Sequence, residues 1–256
     1  MEERFWEAVS ENNEEEVEEI IRSNPSLDVN WENGHRCCWT ALHLAGEKGY
    51  DAIVSMLLVH PNINVNAQDE NNNTPFLAAC FGGHATSVRL LLRDLRVKVN
   101  EPNEVEHTPL WWTCRTGRLD VIKWWIASGR EIDLGEPGDI CTDAIGVAKM
   151  KNEVEVVALL ERFKESSKET RHQIRIELGW YDDLAAGIFA LVVFISDGLL
   201  QINGTATTAP ARFFRVAAQL PLELQMLLCY RSVGLAKEII STMRSEEAFK
   251  AVARNT

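Results

Sequence analysis

Adjacent thiols at Cys37 and Cys38, with His35 and His43 nearby in the chain, are the first side chains that could do chemistry, and that chemistry would be zinc ligation. Ligands drawn from one loop are ordinarily about two to four residues apart, so that each reaches the ion from its own direction. Neighbouring cysteines lack this spacing, so they read as small apolar thiols beside a loop histidine. A second set, His172 and Cys229 with Asp182, Asp183 or Asp197 as orienting acid, could support nucleophilic catalysis. Nothing in its spacing requires that pairing, and a cysteine on an apolar helix face is commonly inert. The stretch GEPGDICTD at 135–143 has glycines but no lysine for a phosphate, and neither G-x-G-x-x-G nor G-x-x-x-x-G-K-[ST] occurs. The expectation is a chain that is not an enzyme, with no catalytic residue, no metal and no cofactor.

Aromatic residues offer binding instead. In TPLWWTCRTG at 108–117, Pro109 marks a helix start and Gly117 its end, with Trp111 and Trp112 between them. Consecutive residues on a helix cannot share one face. If Trp111 packs inward, Trp112, turned about 100° around the axis, either fills a gap or faces a groove. Trp124 and Trp125, beside Val121 and Ile126, read as core.

These residues sit inside an internal repeat. Thr40, Thr74, Thr108 and Thr142 are 34 residues apart and open TALHLAGEKG, TPFLAACFGG, TPLWWTCRTG and TDAIGVAKMK. Gly49, Gly83 and Gly117 follow at a constant offset, and Lys151 beside Asn152 stands there in the last copy. The apolar pairs Leu57-Leu58, Leu91-Leu92, Trp125-Ile126 and Leu159-Leu160 come next. Units close on Val65-Asn66, Val99-Asn100 and Ile132-Asp133, and Val29-Asn30 closes a divergent first copy. Each unit is thus a short helix, a turn favouring positive φ, a second helix and an extended crossing. Asn152 can tolerate that turn in the last copy, as Asn12-Asn13 can in the first. One such pair cannot bury its own apolar stripe, so neighbours must stack.

The phrase TALHLA, its downstream glycine and the VN ending resemble the ankyrin repeat family over residues 1–165. The resemblance implies an all-α solenoid of about five repeats, the first and last divergent. Three departures stand out. The family's loop-tying histidine is present only as His43, with Leu77, Trp111 and Ile145 in its place elsewhere. Asn72 and Glu106 stand where a tip glycine is usual, and the connection NGHRCCW at 33–39 is two or three residues longer than the repeat calls for.

By the same resemblance, a protein or peptide partner lies on the concave face made by the hairpin tips and first helices. The tips are Arg36 and Trp39; Glu70, Asn71 and Asn73; Glu104 and His107. Before each helix-ending glycine come Glu47 and Lys48, Phe81 and Gly82, Arg115 and Thr116. The partner-binding set expected from this is Trp39, Glu47, Phe81, His107, Trp112 and Arg115, an aromatic patch of the kind enriched in hot spots. The expected function is a non-catalytic protein-interaction scaffold or adaptor.

Bulk composition narrows the partner class. With 256 residues, 46% hydrophobic and 25% charged, the chain is that of a folded protein, and its net charge of −12 argues against phosphate-backbone binding to nucleic acid. No apolar leader is visible, and the run AAGIFALVVFI at 185–195 is too short to span a membrane. Six cysteines without a leader point to reduced thiols and an intracellular setting, cytoplasmic with the nucleus left open. Asn203-Gly204-Thr205 then reads as a turn and not as a glycosylation site. Oligomeric state is not legible.

Beyond KESSKET at 164–170 the repeat stops and the pattern stays helical, giving a second, compact helical domain over 166–256. Helix starts fall at Pro210, at Pro221 and at Ser245 with Glu246-Glu247, and a loop falls at Gly198 and Asn203-Gly204. Following the last repeat directly, this domain could cap its apolar face. LPLELQMLLCYR resembles an F-box opening in a few common residues, which would imply a ubiquitin-ligase substrate receptor. Gln225 stands where a SOCS box would have a leucine before Cys229. An effector or enzyme with its activity in 166–256 is the remaining alternative.

Overall fold

The computed structural model describes residues 1–196, 209–220 and 222–233, together with Arg244, Ala248, Lys250 and Val252. Asp197, the loop at Gly198 and Asn203-Gly204 with its sequon, Pro221, and the helix start at Ser245 with Glu246-Glu247 lie outside the described residues. Among the described residues the chain is all-α, its extended pairing being the isolated bridge between Asn33 and Trp39. Contacts divide it into two units, Met1–Ile174 and Arg175–Thr256.

The first unit is five helix pairs: α1 (Glu2–Ser10) with α2 (Glu14–Ser23), α3 (Ala41–Lys48) with α4 (Asp51–Val59), α5 (Pro75–Gly82) with α6 (Ala85–Arg93), α7 (Pro109–Arg115) with α8 (Leu119–Ser128), and α9 (Ala144–Lys151) with α10 (Val154–Glu165). First helices pack on first helices, α1 to α3 to α5 to α7 to α9, and second helices on second helices, α2 to α4 to α6 to α8 to α10. The fully buried Phe76 of α5 meets Trp125 of α8 edge to face, ring centroids 5.0 Å apart. Such a pair adds to its area burial because a ring's positive edge meets a negative face.

Local chemistry sets the helix limits. Thr74 and Thr108 cap α5 and α7 by accepting from the N–H groups of Leu77 and Trp111 at 3.2 Å. The last copy is shifted by one residue. Asp143 caps α9 by accepting from Gly146 N–H, while the Thr142 hydroxyl donates to Asp139. Thr142 is therefore not the cap its place in the repeat implies: its hydroxyl is engaged with Asp139, and Asp143 makes the same three-residue cap bond one position later. The same shift puts Asn152, at φ +61°, where Gly49 at φ +75° turns the second copy. Asn12 does the same in the first copy at φ +54°.

Two ladders join the copies. Asn30 donates from Nδ2 to the Asn62 carbonyl and accepts from Asn64 N–H; Asn66 donates to the Arg96 carbonyl and accepts from Lys98 N–H. The asparagine of the VN ending is thus a bidentate splint for the next crossing. On the tip side, the Nδ1 of His43 accepts from Thr40 and its Nε2–H donates to the Asn73 carbonyl at 2.9 Å. Trp111 has the same job in another form, its indole N–H donating to the Ile140 carbonyl at 3.1 Å. Leu77 cannot donate, and there the tip bonds run directly from Glu104 N–H to Asn71 O and from Asn103 Nδ2 to Asn73 Oδ1.

The long first connection is absorbed by backbone. Trp39 N–H bonds to Arg36 O, and Cys37 and Cys38 between them both take positive φ, +53° and +60°. Asn72 and Glu106 also take the left-handed conformation, at +58° and +64°. Asparagine does so at small cost, glutamate at a larger one.

The division between the two units falls within a helix. Helix α11 (Ser167–Glu177) begins after a break at Ser166, its Thr170 hydroxyl bonded to Arg162 O and its Arg171 guanidinium bonded to Ile126 O. With Ile174 buried, the front of α11 belongs to the repeat unit. In the second unit, α12 (Trp180–Ser196) packs on α13 (Ala209–Ala217) and α14 (Leu222–Ser232). Its core holds Ala185, Ala186, Phe189, Val192, Ala217, Cys229 and Tyr230. Among the described residues no single helix is long and apolar enough to cross a membrane.

Replacing Glu106 by glycine removes a left-handed penalty of roughly 1 kcal/mol, part of which the freer unfolded chain offsets. A gain of about 0.5 kcal/mol and a Tm rise of about 2 °C are expected in thermal denaturation; a lowered Tm would contradict the strain. Burial holds His43 below its ordinary value of 6.5, so the unfolded chain takes up the proton first. Stability is full above about 6.5 and is lost as pH falls from there toward the folded value. His43→Gln, which keeps a side-chain acceptor for the cap, should flatten that acid limb in melts taken at successively lower pH below about 6.5.

Candidate functional site

The hairpin tips and first helices of the second, third and fourth copies bring Trp39, Phe81 and Trp112 to one cavity of about 230 Å³, lined also by Glu47, Asn73, Leu77 and Ala78. Each wall has a local cause. Trp39 leaves the bridge with Asn33 and is held by its indole N–H, which donates to Asp69 Oδ2 at 2.9 Å, while its ring lies over His43. Asp69 is buried and is locked in turn by Asn71 N–H, Asn73 N–H and Asn73 Nδ2. Glu47 ends α3 next to Gly82, where an added Cβ would run into the Glu47 carbonyl oxygen. The bare glycine therefore lets α5 approach closely enough for Glu47 to line the cavity.

Phe81 is 44% exposed, an apolar ring left on the surface. It stands perpendicular to Trp112, centroids 5.3 Å apart. Trp111 is buried and Trp112 half-buried on the cavity, so the adjacent tryptophans divide between core and groove. Behind Trp112, His107 lies flat on Trp111 at 3.6 Å and edge-on to Trp112 at 5.5 Å. Arg115 places its guanidinium 5.3 Å from the Trp112 ring centre. Burial, and then the Arg115 charge, lower the His107 pKa, so the imidazole is neutral at pH 7. The Trp112 indole N–H and His107 Nδ1 are sealed from solvent without a hydrogen-bond partner. A buried orphan of this kind costs about 1–3 kcal/mol.

Of the six residues the sequence singles out, Trp39, Glu47, Phe81 and Trp112 line the cavity. His107 and Arg115 belong to the same aromatic cluster but brace Trp112 from outside it. Leu77 and Ala78 supply apolar floor that sequence reading passed over. Leu77 shares the position of His43 and Trp111, and that was the available signal. Trp124 is not core. It is half-buried, with the Arg89 guanidinium over its ring at 4.4 Å, because Trp125 takes the inward face.

Other groups are spoken for. A larger hollow of about 710 Å³ lies between the loop before α9, α9 itself and α10, but its Lys149 is ion-paired to Glu161 at 2.7 Å and its Asp143 is engaged as a helix cap. Among the described residues no group of three or more His, Cys, Asp or Glu could hold a metal ion. Cys229 is buried in the second unit's core, which pushes its thiol up to about 12, and His172 is an exposed residue of α11. A thiol so placed is not a nucleophile. Gln225 is buried in α14, its Nε2 donating to Leu220 O at 2.8 Å and Ser196 Oγ at 3.3 Å, whereas Leu224 is exposed. Cys37 is exposed, while the Cys38 thiol is raised by desolvation and then by its hydrogen bond to Glu70.

Glu70→Gln should therefore speed alkylation of Cys38 by iodoacetamide at neutral pH, read by mass spectrometry of the modified peptide, with Cys80, Cys114 and Cys229 remaining slow. An unchanged rate at Cys38 would show that Glu70 does not hold the thiol.

Compared with known families, the chain matches the family model described as ankyrin repeats, in three copies, over residues 5–103 and 51–136.

Proposed function

The chain belongs to the ankyrin-repeat family, whose role is protein–protein interaction, and from that premise we propose that it is a non-catalytic adaptor holding a protein or peptide on the family's concave face. The site is the surface carrying Trp39, Glu47, Phe81, His107, Trp112 and Arg115. One observation supports it above the rest: aromatic rings from three successive copies converge on a single cavity that the stack does not fill. Repeat packing alone gives no reason to leave Phe81 uncovered beside a tryptophan whose N–H lacks an acceptor. Large aromatic side chains bordered by arginine are what interface hot spots are made of. The six thiols, all unpaired, support an intracellular setting.

A photo-crosslinking residue in place of Phe81, with Val59 as a control on the second-helix side, tests this in cells of the protein's source. A discrete adduct is expected from position 81, lost when Trp112→Ala is added, with circular dichroism and Tm held within about 2 °C. Equal adducts from both positions, or an adduct indifferent to Trp112, would remove the groove from consideration.

A further inference from the structure

We propose that the cavity between Trp39, Phe81 and Trp112 is a cage for an N-methylated ammonium group, such as a methylated lysine side chain of the bound protein, with Glu47 as its counter-charge. The inference rests on the groove reading above and specifies what enters the groove.

The walls argue for a cation. Aromatic ring faces carry negative potential and draw cations that come within about 6 Å of the ring centre. This chain already uses its rings so: Arg115 lies over Trp112, and Arg89 over Trp124. Arg115 does not line the cavity, so the cavity itself is left for an outside group. Phe81 and Trp112 meet edge to face at 85° and make one corner of the cavity, and Trp39 adds another ring.

Glu47 selects against a neutral guest. Its Oε2 is 3.0 Å from Lys48 Nζ, and Lys48 itself is half exposed. An apolar side chain seated against this carboxylate would strip its remaining water and return nothing. A cation returns charge, and the net charge of −12 favours its approach.

Methylation follows from the shortage of acceptors. An unmodified ammonium has three N–H donors to satisfy. Among the lining side chains Glu47 and Asn73 carry acceptor oxygens, and Asn73 Oδ1 has one of its two lone pairs in the Asn103 Nδ2 bond. Leu77, Ala78 and the rings offer none. Methyl groups remove donors, keep the charge and present apolar surface to the rings.

The test is an NMR titration of the ¹⁵N-labelled full chain with three probes: capped trimethyllysine, capped lysine and the capped uncharged 5,5-dimethylhexyl isostere of trimethyllysine. The trimethyllysine probe is expected to shift the Trp39 and Trp112 indole signals saturably, with a Kd about fivefold below that of either other probe. Glu47→Gln, nearly isosteric and checked for native signal dispersion, should raise that Kd about threefold. If the uncharged isostere binds as tightly, the cavity is an apolar socket and the cation is wrong, while the groove reading stands. Preference for unmodified lysine overturns the methylation. If no probe shifts the indoles, the cage is wrong; a Phe81 crosslink that persists confines the failure to it, and a lost crosslink takes the groove with it.

Discussion

No copy in the first unit can cover its own apolar stripe, and everything else in that unit follows from this. Two short helices expose more oily surface than they share, so α3 needs α1 and α5, and α4 needs α2 and α6. The positions that recur from copy to copy, with a one-residue shift in the last, are those on which nesting depends: the cap, the left-handed turn, the paired apolar residues and the splinting side chain of the crossing. Burial of Ile53, Val54, Leu57, Val88, Leu91, Ile122, Trp125 and Ile126 shows how completely the second-helix layer closes. The first-helix layer is left with a side that nesting does not consume.

The tip hydrogen bonds show how much freedom that side has. His43 and Trp111 occupy equivalent positions and each donates one N–H to a carbonyl of the next tip, although the indole is much the larger ring. Leu77, between them, donates nothing, and backbone and asparagine bonds bear the register there instead. The constraint is the tie between tips and not the residue that makes it. Because the tie can be made several ways, position 77 is free to become cavity floor and position 111 to become the flat support on which His107 rests.

This division explains what was legible in the chain alone. Helix pairs, turn glycines and the substitute asparagines at 12 and 152 are set by local backbone preference and a periodic apolar pattern, both visible without coordinates. The split of Trp111 from Trp112 follows from helix geometry, and the same geometry should have separated Trp124 from Trp125, where the apolar neighbours misled. The shift of the last cap from Thr142 to Asp143 was hidden because either side chain can cap, and only the reach to Gly146 N–H decides. The cavity was half visible. Its rings and Glu47 could be placed by position in the repeat, but that Leu77 and Ala78 floor it and that His107 and Arg115 stand outside it could not.

The irregular positions carry a final argument. Beside the backbone departures at Asn72 and Glu106 and the one-residue shift of the last copy, the large apolar departures are Trp39 with its long connection, Leu77, Phe81 and the Trp111-Trp112 pair, and these lie at tips or on first helices. Buried side chains answer to packing, and a wrong size there costs stability outright. Side chains at the tips answer only to the tie, so departures there accumulate without unfolding the stack. A set of unconstrained departures would be scattered and largely polar, as solvent favours. These are large and apolar, and Trp39, Leu77, Phe81 and Trp112 close on one space, which costs the isolated protein an orphan N–H and an uncovered phenyl ring. The proposed recognition groove would account for the cost borne at the exposed positions among them.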